Sequence, residues 1–376
     1  MVILLNCLKY LAPTPLYISF SRLFALLALS ILAIGKPSSY AQLSDYRVNI
    51  NYHYGFVMNH SVNMAHLANQ RPFSIEADLF KQTTGKKEWE QVHNYPKVGY
   101  SLNYIHTDPT KPIGNCYSLV FYMGKDLVKT NNFNIYYRIG GGPGLIFRTF
   151  DIKTNPKNNI ISSKFNYCLN GRINITHKIY NQLYINAGLG IIHFSNGNLK
   201  LPNLGINVPT VHIGLGFGHA NSPKVIKDSL SPFRRSNHLY ISAAGSLKQN
   251  YPILGPYYFV GIFSVYGGRT ISRKSILQTG IDYFYDPSIQ RTVERELNTI
   301  QNSRIGLLFG HELTFNKLSL LTQGGIYLYD PYKLYQPWYQ RYGLKYYLSQ
   351  KSFIGVFLKA HYGSADFVEW TVGIKI

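Results

Sequence analysis

Residues 183–217 read LYINAGLGIIHFSNGNLKLPNLGINVPTVHIGLGF, and the spacing of their apolar side chains decides the fold. Side chains alternate across a β-strand, so the parity of a position assigns its face. Leu183, Ile185, Ala187, Leu189 and Ile191 make the odd face continuously apolar, and His193 and Ser195 end it. The even face carries Gln182, Tyr184, Asn186, Gly188 and Gly190, then Ile192 and Phe194. Beyond a turn-rich loop the pattern returns. Pro209, Val211, Ile213, Leu215 and Phe217 share one face, and Thr210, His212, Gly214 and Gly216 share the other. A transmembrane β-barrel turns the first kind of face to lipid and the second to its lumen.

Similar segments recur along the chain, rich in the 32 Tyr, 21 Phe and 32 Gly, while helix-period patterns are almost absent. Strands are expected near 48–58, 74–82, 96–106, 115–126, 132–147, 161–176, 181–195, 206–218, 236–247, 256–268, 271–285, 303–314, 317–329, 340–349, 351–362 and 367–376. The fold class read from this pattern is all-β, an antiparallel transmembrane β-barrel of the outer-membrane type with roughly 12–16 strands. Only a closed barrel satisfies the backbone of a strand in lipid. A soluble secreted β-sandwich is the competing reading.

The first forty residues belong to a different class of segment. Lys9 and Arg22 precede the apolar run LFALLALSILAIG, and small residues follow at Ser39 and Ala41. This predicts a secretory signal peptide over 1–41, cleaved near Ala41, with a run too short for a comfortable spanning helix. The remainder divides into a β-barrel region, 42–220, and a further β-strand region, 221–376, which either completes the barrel or forms a second β unit. Duplication of an eight-stranded unit is one way to reach this length. YYRIGGGPG and IIHFSNG in the first region find thin counterparts in LLTQGGIYL and LKAHYGSAD in the second. The GGGPG run itself lacks the Lys-Ser/Thr of a phosphate loop and opens no helix, so bending or close backbone approach explains it better.

Formal charge is +21, from 38 Lys and Arg against 17 Asp and Glu. The basic residues are scattered and form no nucleic-acid recognition motif, so an exported chain of this kind points to a phosphate-rich leaflet such as lipopolysaccharide. Cys116 and Cys168 show neither a disulfide framework nor metal-ligand spacing, and read as packing residues. No metal and no organic cofactor is expected.

Folding the 183–217 hairpin back brings Asn207 beside His193 and Ser195 on the outer wall near the membrane boundary. A polar trio on a greasy surface makes chemical sense if the substrate is a lipid. With a periplasmic N-terminus the seventh strand ascends, so its end at Ser195 lies at the outer leaflet.

The stretch HFSNGNLKLPNLGIN resembles the lipid A 3-O-deacylase family, outer-membrane barrel esterases also called acyloxyacyl hydrolase-like. The resemblance is specific over these residues and diffuse across 48–218. It implies Ser195 as nucleophile, His193 as general base, and an oxyanion hole from Asn196, Gly197 and Asn203. It also implies lipid A or lipopolysaccharide as the substrate and the outer membrane as the location. One departure stands out: Asn207 occupies the place of the family's third member, a Glu. No Asp or Glu occurs between Asp151 and Asp228. An Asn carbonyl can still accept the imidazole N–H, but it stabilises imidazolium less than a carboxylate does.

In the C-terminal counterpart, parity sends His361 and Glu369 to the lumen, and Gly363 takes the place of the serine. A second active site is therefore not expected there, and a lumenal hydrogen-bonded pair is. Two alternatives stay open at this stage: a non-catalytic porin-like or structural barrel with a vestigial site, and an outer-membrane phospholipase. The choice of acyl ester, and whether two copies form a homodimer, are not legible in the sequence.

Overall fold

The computed structural model describes residues 46–107, 112–218, 225–228, 230–250, 253–289, 301–333 and 336–376. The expected signal peptide, 1–41, lies outside them. Sixteen strands make up the described fold. They are β1 (Tyr46–Gly55), β2 (Phe73–Gln82), β3 (Lys97–His106), β4 (Cys116–Lys129), β5 (Phe133–Ile146), β6 (Phe165–Tyr180), β7 (Leu183–Ser195) and β8 (Ile206–Gly218). The second half contributes β9 (Asn237–Gln249), β10 (Tyr257–Ser272), β11 (Ser275–Tyr285), β12 (Ser303–Phe315), β13 (Leu318–Tyr329), β14 (Trp338–Tyr347), β15 (Ser352–His361) and β16 (Ser364–Lys375). A short 3-10 helix, Val62–Leu67, and a one-turn helix, Glu88–Val92, sit in connections. No helix among the described residues is long and apolar enough to cross a membrane.

Two antiparallel barrels close separately. β8 returns to β1 with Arg47 opposite Gly218 and Gly55 opposite Thr210. β16 returns to β9 with Trp370 opposite Gly245 and Lys375 opposite Tyr240. The second half therefore forms its own eight-stranded barrel rather than completing one large one. The GGGPG run lies in β5 and LLTQGG in β13, the fifth strand of each barrel, while HFS and KAH end the seventh strands.

Alternation explains how each strand divides its side chains. In β6, Leu169, Ile173 and Ile175 face outward, whereas Asn170, Arg172, Asn174 and Thr176 are buried in the lumen. An eight-stranded barrel is only wide enough for side chains to fill it. The filling here is ionic, with opposite charges in contact. In the first barrel Glu76 receives Arg138, Arg172 and His53, and Asp78 receives Arg138 at 3.1 Å and Tyr122 Oη at 2.5 Å. In the second, Lys248 lies between Asp286 and Asp366 at 2.9 and 2.8 Å, and Arg341 holds Asp282 and Glu369 at 3.2 and 3.1 Å. Lys345 meets Glu312 at 3.0 Å, and Lys359 meets Asp366 at 2.7 Å. Pairing is what makes such charges tolerable away from water.

One end of the first barrel is closed by apolar side chains instead. Val57, Ile160, Ile161, Phe194, Ile206 and Val208 belong to this cluster, as do the free thiols Cys116 and Cys168. It supports the β7–β8 loop from below.

The barrels touch at both rims. At the end where β7 and β9 finish, Asn198 Nδ2 donates to the Asp366 carbonyl (3.3 Å) and Leu201 N–H to Gln249 Oε1 (2.9 Å). At the opposite end His93 Nε2 lies 2.8 Å from the Thr314 carbonyl, and Arg273 pairs with Glu88 at 2.9 Å.

Candidate active site

The β7–β8 register places His193 directly opposite Asn207, and the β6–β7 register places Leu169 opposite His193 and Tyr167 opposite Ser195. The faces follow the parity of the sequence. Leu189 and Ile191 are exposed on the odd face, Ile192 and Phe194 are buried on the even one, and His193, Ser195 and Asn207 are half-buried on the outer wall. His193 Nδ1 lies 2.7 Å from Asn207 Oδ1. An amide oxygen can only accept, so Nδ1 carries the proton and Nε2 is left bare.

Ser195 Oγ accepts from two donors: the Gly197 N–H at 3.1 Å and the Asn203 Nδ2 at 3.0 Å. Among the described residues no hydrogen bond joins Ser195 Oγ to His193, so its hydroxyl proton is not committed to that ring in this state. Catalytic hydrogen bonds commonly tighten only when substrate is bound.

The loop is built to hold those donors. Gly197 has φ +64°, a left-handed conformation open to glycine at no steric cost. Asn203 is locked from behind, because its Oδ1 accepts the Asn196 N–H at 3.1 Å. Asn196 itself is buried, and its Nδ2 donates to the Lys200 carbonyl, Ser162 Oγ and Ser163 Oγ at 2.8, 3.3 and 3.0 Å. Gly197 and Asn203 therefore present N–H groups at the serine, whereas Asn196 ties the loop to the β5–β6 connection. Gly205, at φ +78°, lies against the imidazole; a Cβ there would stand 2.9 Å from His193 Cε1.

One neighbour has no sequence signature. His60, from the β1–β2 connection, places Nδ1 3.1 Å from Asn207 Nδ2 and Nε2 3.0 Å from the Leu204 carbonyl. The contact depends on β1 pairing with β8 across the barrel closure, which continues as Met58 N–H to the Asn207 carbonyl at 2.9 Å.

The C-terminal counterpart needs a correction. His361 and Glu369 are buried in the lumen as their parity requires, but they do not bond each other. His361 Nε2 lies 3.0 Å from Tyr327 Oη, and Glu369 takes Arg341. The hydroxyl of Tyr327 and the guanidinium of Arg341, which come from β13 and β14, are nearer partners than any residue in the local sequence. Gly363 sits at φ +77° in an open turn. Among the described residues no group of three or more His, Cys, Asp or Glu could hold a metal ion.

Comparison with known proteins agrees with this geometry on the family. The family model "Lipid A 3-O-deacylase (PagL)" matches residues 75–216, and "Acyloxyacyl hydrolase, C-terminal domain" matches residues 237–376. No curated protein matches the chain. Among solved structures, Neisserial surface protein A aligns with 10% identity and a TM-score of 0.33, over 46% of this chain and 97% of that one. A triple mutant of the Rhodopseudomonas blastica porin aligns with 8% identity and a TM-score of 0.18, over 88% of this chain and 100% of that one. The barrel assignment rests on the strand pairing itself, not on these alignments. The two family matches are consecutive, one to each barrel, and between them span most of the chain: it belongs to the lipid A 3-O-deacylase family, with the acyloxyacyl hydrolase C-terminal domain as its second barrel.

Proposed function

We propose that this chain is an outer-membrane esterase that removes an ester-linked acyl chain from lipid A by a serine mechanism. The observation that carries the reading is the placement of Ser195, beneath two N–H donors and beside a histidine with a bare Nε2, on the apolar outer wall of the barrel. Seen from this wall, an acyl chain lies along the exposed Leu169, Ile191 and Val211. Exposed Arg71, Lys153, Lys157 and Lys164 stand at the same end of the barrel, where lipid A phosphates would be. The two longest connections within the first barrel, 56–72 and 147–164, are also at this end, while the other end carries the short turns 130–132 and 181–182 and the intermediate connection 83–96. Outer-membrane barrels carry their long loops outside and their short turns in the periplasm, which supports an outer-leaflet site.

The chemistry follows from the donors. His193 Nε2 takes the proton of Ser195 as Oγ bonds to the ester carbonyl carbon, and the carbonyl oxygen becomes an oxyanion. Gly197 N–H and Asn203 Nδ2–H, already within reach of Oγ, turn to that oxygen. The C–O bond to the sugar then breaks, and the departing alkoxide receives the proton from the imidazolium. Water, deprotonated by the same ring, releases the fatty acid and restores the serine. Asn207 keeps the ring in the required tautomer throughout. A conducting role fits less well, because lumenal ion pairs fill both barrels.

The decisive experiment is mass spectrometry of lipid A from cells expressing wild type or Ser195→Ala. Loss of one acyl chain with the wild type and its retention with the variant is the expected result. Identical acylation would sink the reading, and a rise in lysophospholipid with unaltered lipid A would move the substrate to glycerophospholipids.

A further inference from the structure

The replacement of a carboxylate by Asn207 creates a requirement that a carboxylate does not have. Both oxygens of a carboxylate accept, so either can face an imidazole N–H. An amide has one accepting and one donating end. With Oδ1 toward His193, the ring is protonated on Nδ1 and Nε2 is free to act as a base. With the amide turned over, Nδ2 donates to Nδ1, the proton moves to Nε2, and the base is lost. His193 alone does not distinguish the two states, since it can adopt either tautomer.

His60 does distinguish them. Its Nε2 faces the Leu204 carbonyl at 3.0 Å, which can only accept, so in the neutral ring Nε2 carries the proton. Its Nδ1 is then an acceptor, 3.1 Å from Asn207 Nδ2. The Met58 carbonyl, 3.3 Å from the same Nδ1, competes for it only when Nδ1 is protonated, in the doubly protonated ring or in the neutral tautomer that sets a bare Nε2 against the Leu204 carbonyl. A chain of fixed polarity results, from the Leu204 carbonyl through His60 and Asn207 to His193 Nδ1 at 2.7 Å. Turning the Asn207 amide over would set an oxygen against a bare nitrogen. We propose that His60 is a positioning residue, which accepts from Asn207 Nδ2 and so fixes the amide with its oxygen on His193. The catalytic consequence rests on the deacylase reading above, but the orientation itself does not.

Two measurements on the full chain in detergent micelles test the assignment. The first records imidazole 15N shifts of histidine-labelled protein. In wild type His193 is expected protonated on Nδ1 alone; in His60→Phe it is expected as a mixture in which the Nε2–H form is plainly populated. An unmixed Nδ1–H form in His60→Phe overturns the proposal. The second is a double-mutant cycle on lipid A hydrolysis. His60→Phe should lower kcat on the order of tenfold, with KM little altered, because only the correct tautomer can act as a base. In the Asn207→Asp background, where the acceptor is symmetric, the same change should cost about twofold or less. An equal loss in both backgrounds overturns the proposal, as a merely structural role predicts. If wild type leaves lipid A intact, the deacylase reading falls, while the 15N shifts still decide what His60 does.

Discussion

His193 Nδ1 and Asn207 Oδ1 face each other at 2.7 Å across the β7–β8 pair, so in the proposed triad the third place is filled by an amide that already makes the bond a carboxylate would. Changing charge without changing length is therefore the cleanest substitution. Asn207→Asp is expected to raise kcat about tenfold by stabilising the imidazolium, with little change in KM. The longer Asn207→Glu should gain less, because the extra methylene must displace the ring or the strand. Initial rates on lipid A in mixed micelles measure both, and an Asp variant slower than wild type would show that charge is not what limits this site.

Asn203 serves two bonds with one side chain, donating to Ser195 and accepting from Asn196 N–H. Asn203→Ala should lower kcat by about 10²–10³, the usual cost of one oxyanion donor. Asn203→Asp keeps the bond from Asn196 but turns a negative charge on the oxyanion. It should be at least as inactive as the Ala variant, and near-normal turnover by the Asn203→Asp protein would remove Asn203 from the oxyanion site.

Gly197 is constrained twice, by φ +64° and by Val368 of β16, whose Cγ2 would clash with an added Cβ. Gly197→Ala should cost about 1 kcal/mol in backbone strain alone. It should reduce activity much more than folding, because it moves a donor. Heat-modifiable gel migration reports the fold and lipid A turnover reports the site. Adding Val368→Ala should recover part of the activity; no recovery would leave φ as the whole cause.

Glu76 is the buried anion shared by Arg138, Arg172 and His53. Glu76→Ala strands the Arg172 guanidinium in the lumen, leaves Arg138 with Asp78 as its remaining carboxylate, and should destabilise the first barrel by about 3–5 kcal/mol. Urea titration of the folded fraction measures this. Folded variant protein should retain its turnover, since the lumenal cluster makes no contact with Ser195.

The strand pattern was legible because a period of two writes each face into the chain, and β7 and β8 end where their apolar sets end. One misplaced boundary has a clear cause. Ile160 and Ile161 extend an apolar run, which predicts a strand from 161, yet they turn inward to close the barrel, and β6 starts at Phe165. The number of barrels is not local information. It depends on whether β8 finds β1 or β9, a choice made by edges far apart in sequence. His60 was hidden for the same reason, since its proximity to Asn207 arises only when β1 and β8 meet. His361 and Glu369 showed the limit of parity, which gives the face of a side chain but not its partner.

Contacts at both rims, Asn198 to Asp366 at one and Glu88 to Arg273 at the other, bear on depth. A narrow barrel in a bilayer can tilt and bob to match its apolar belt to the hydrocarbon thickness. In the membrane placement proposed above, each barrel, bound to its neighbour at both rims, limits the other's tilt, so two apolar belts determine one height. On the proposed deacylase reading, the level at which Ser195 meets the leaflet, and with it which ester along a lipid comes into reach, is then a property of the second barrel as much as of the first.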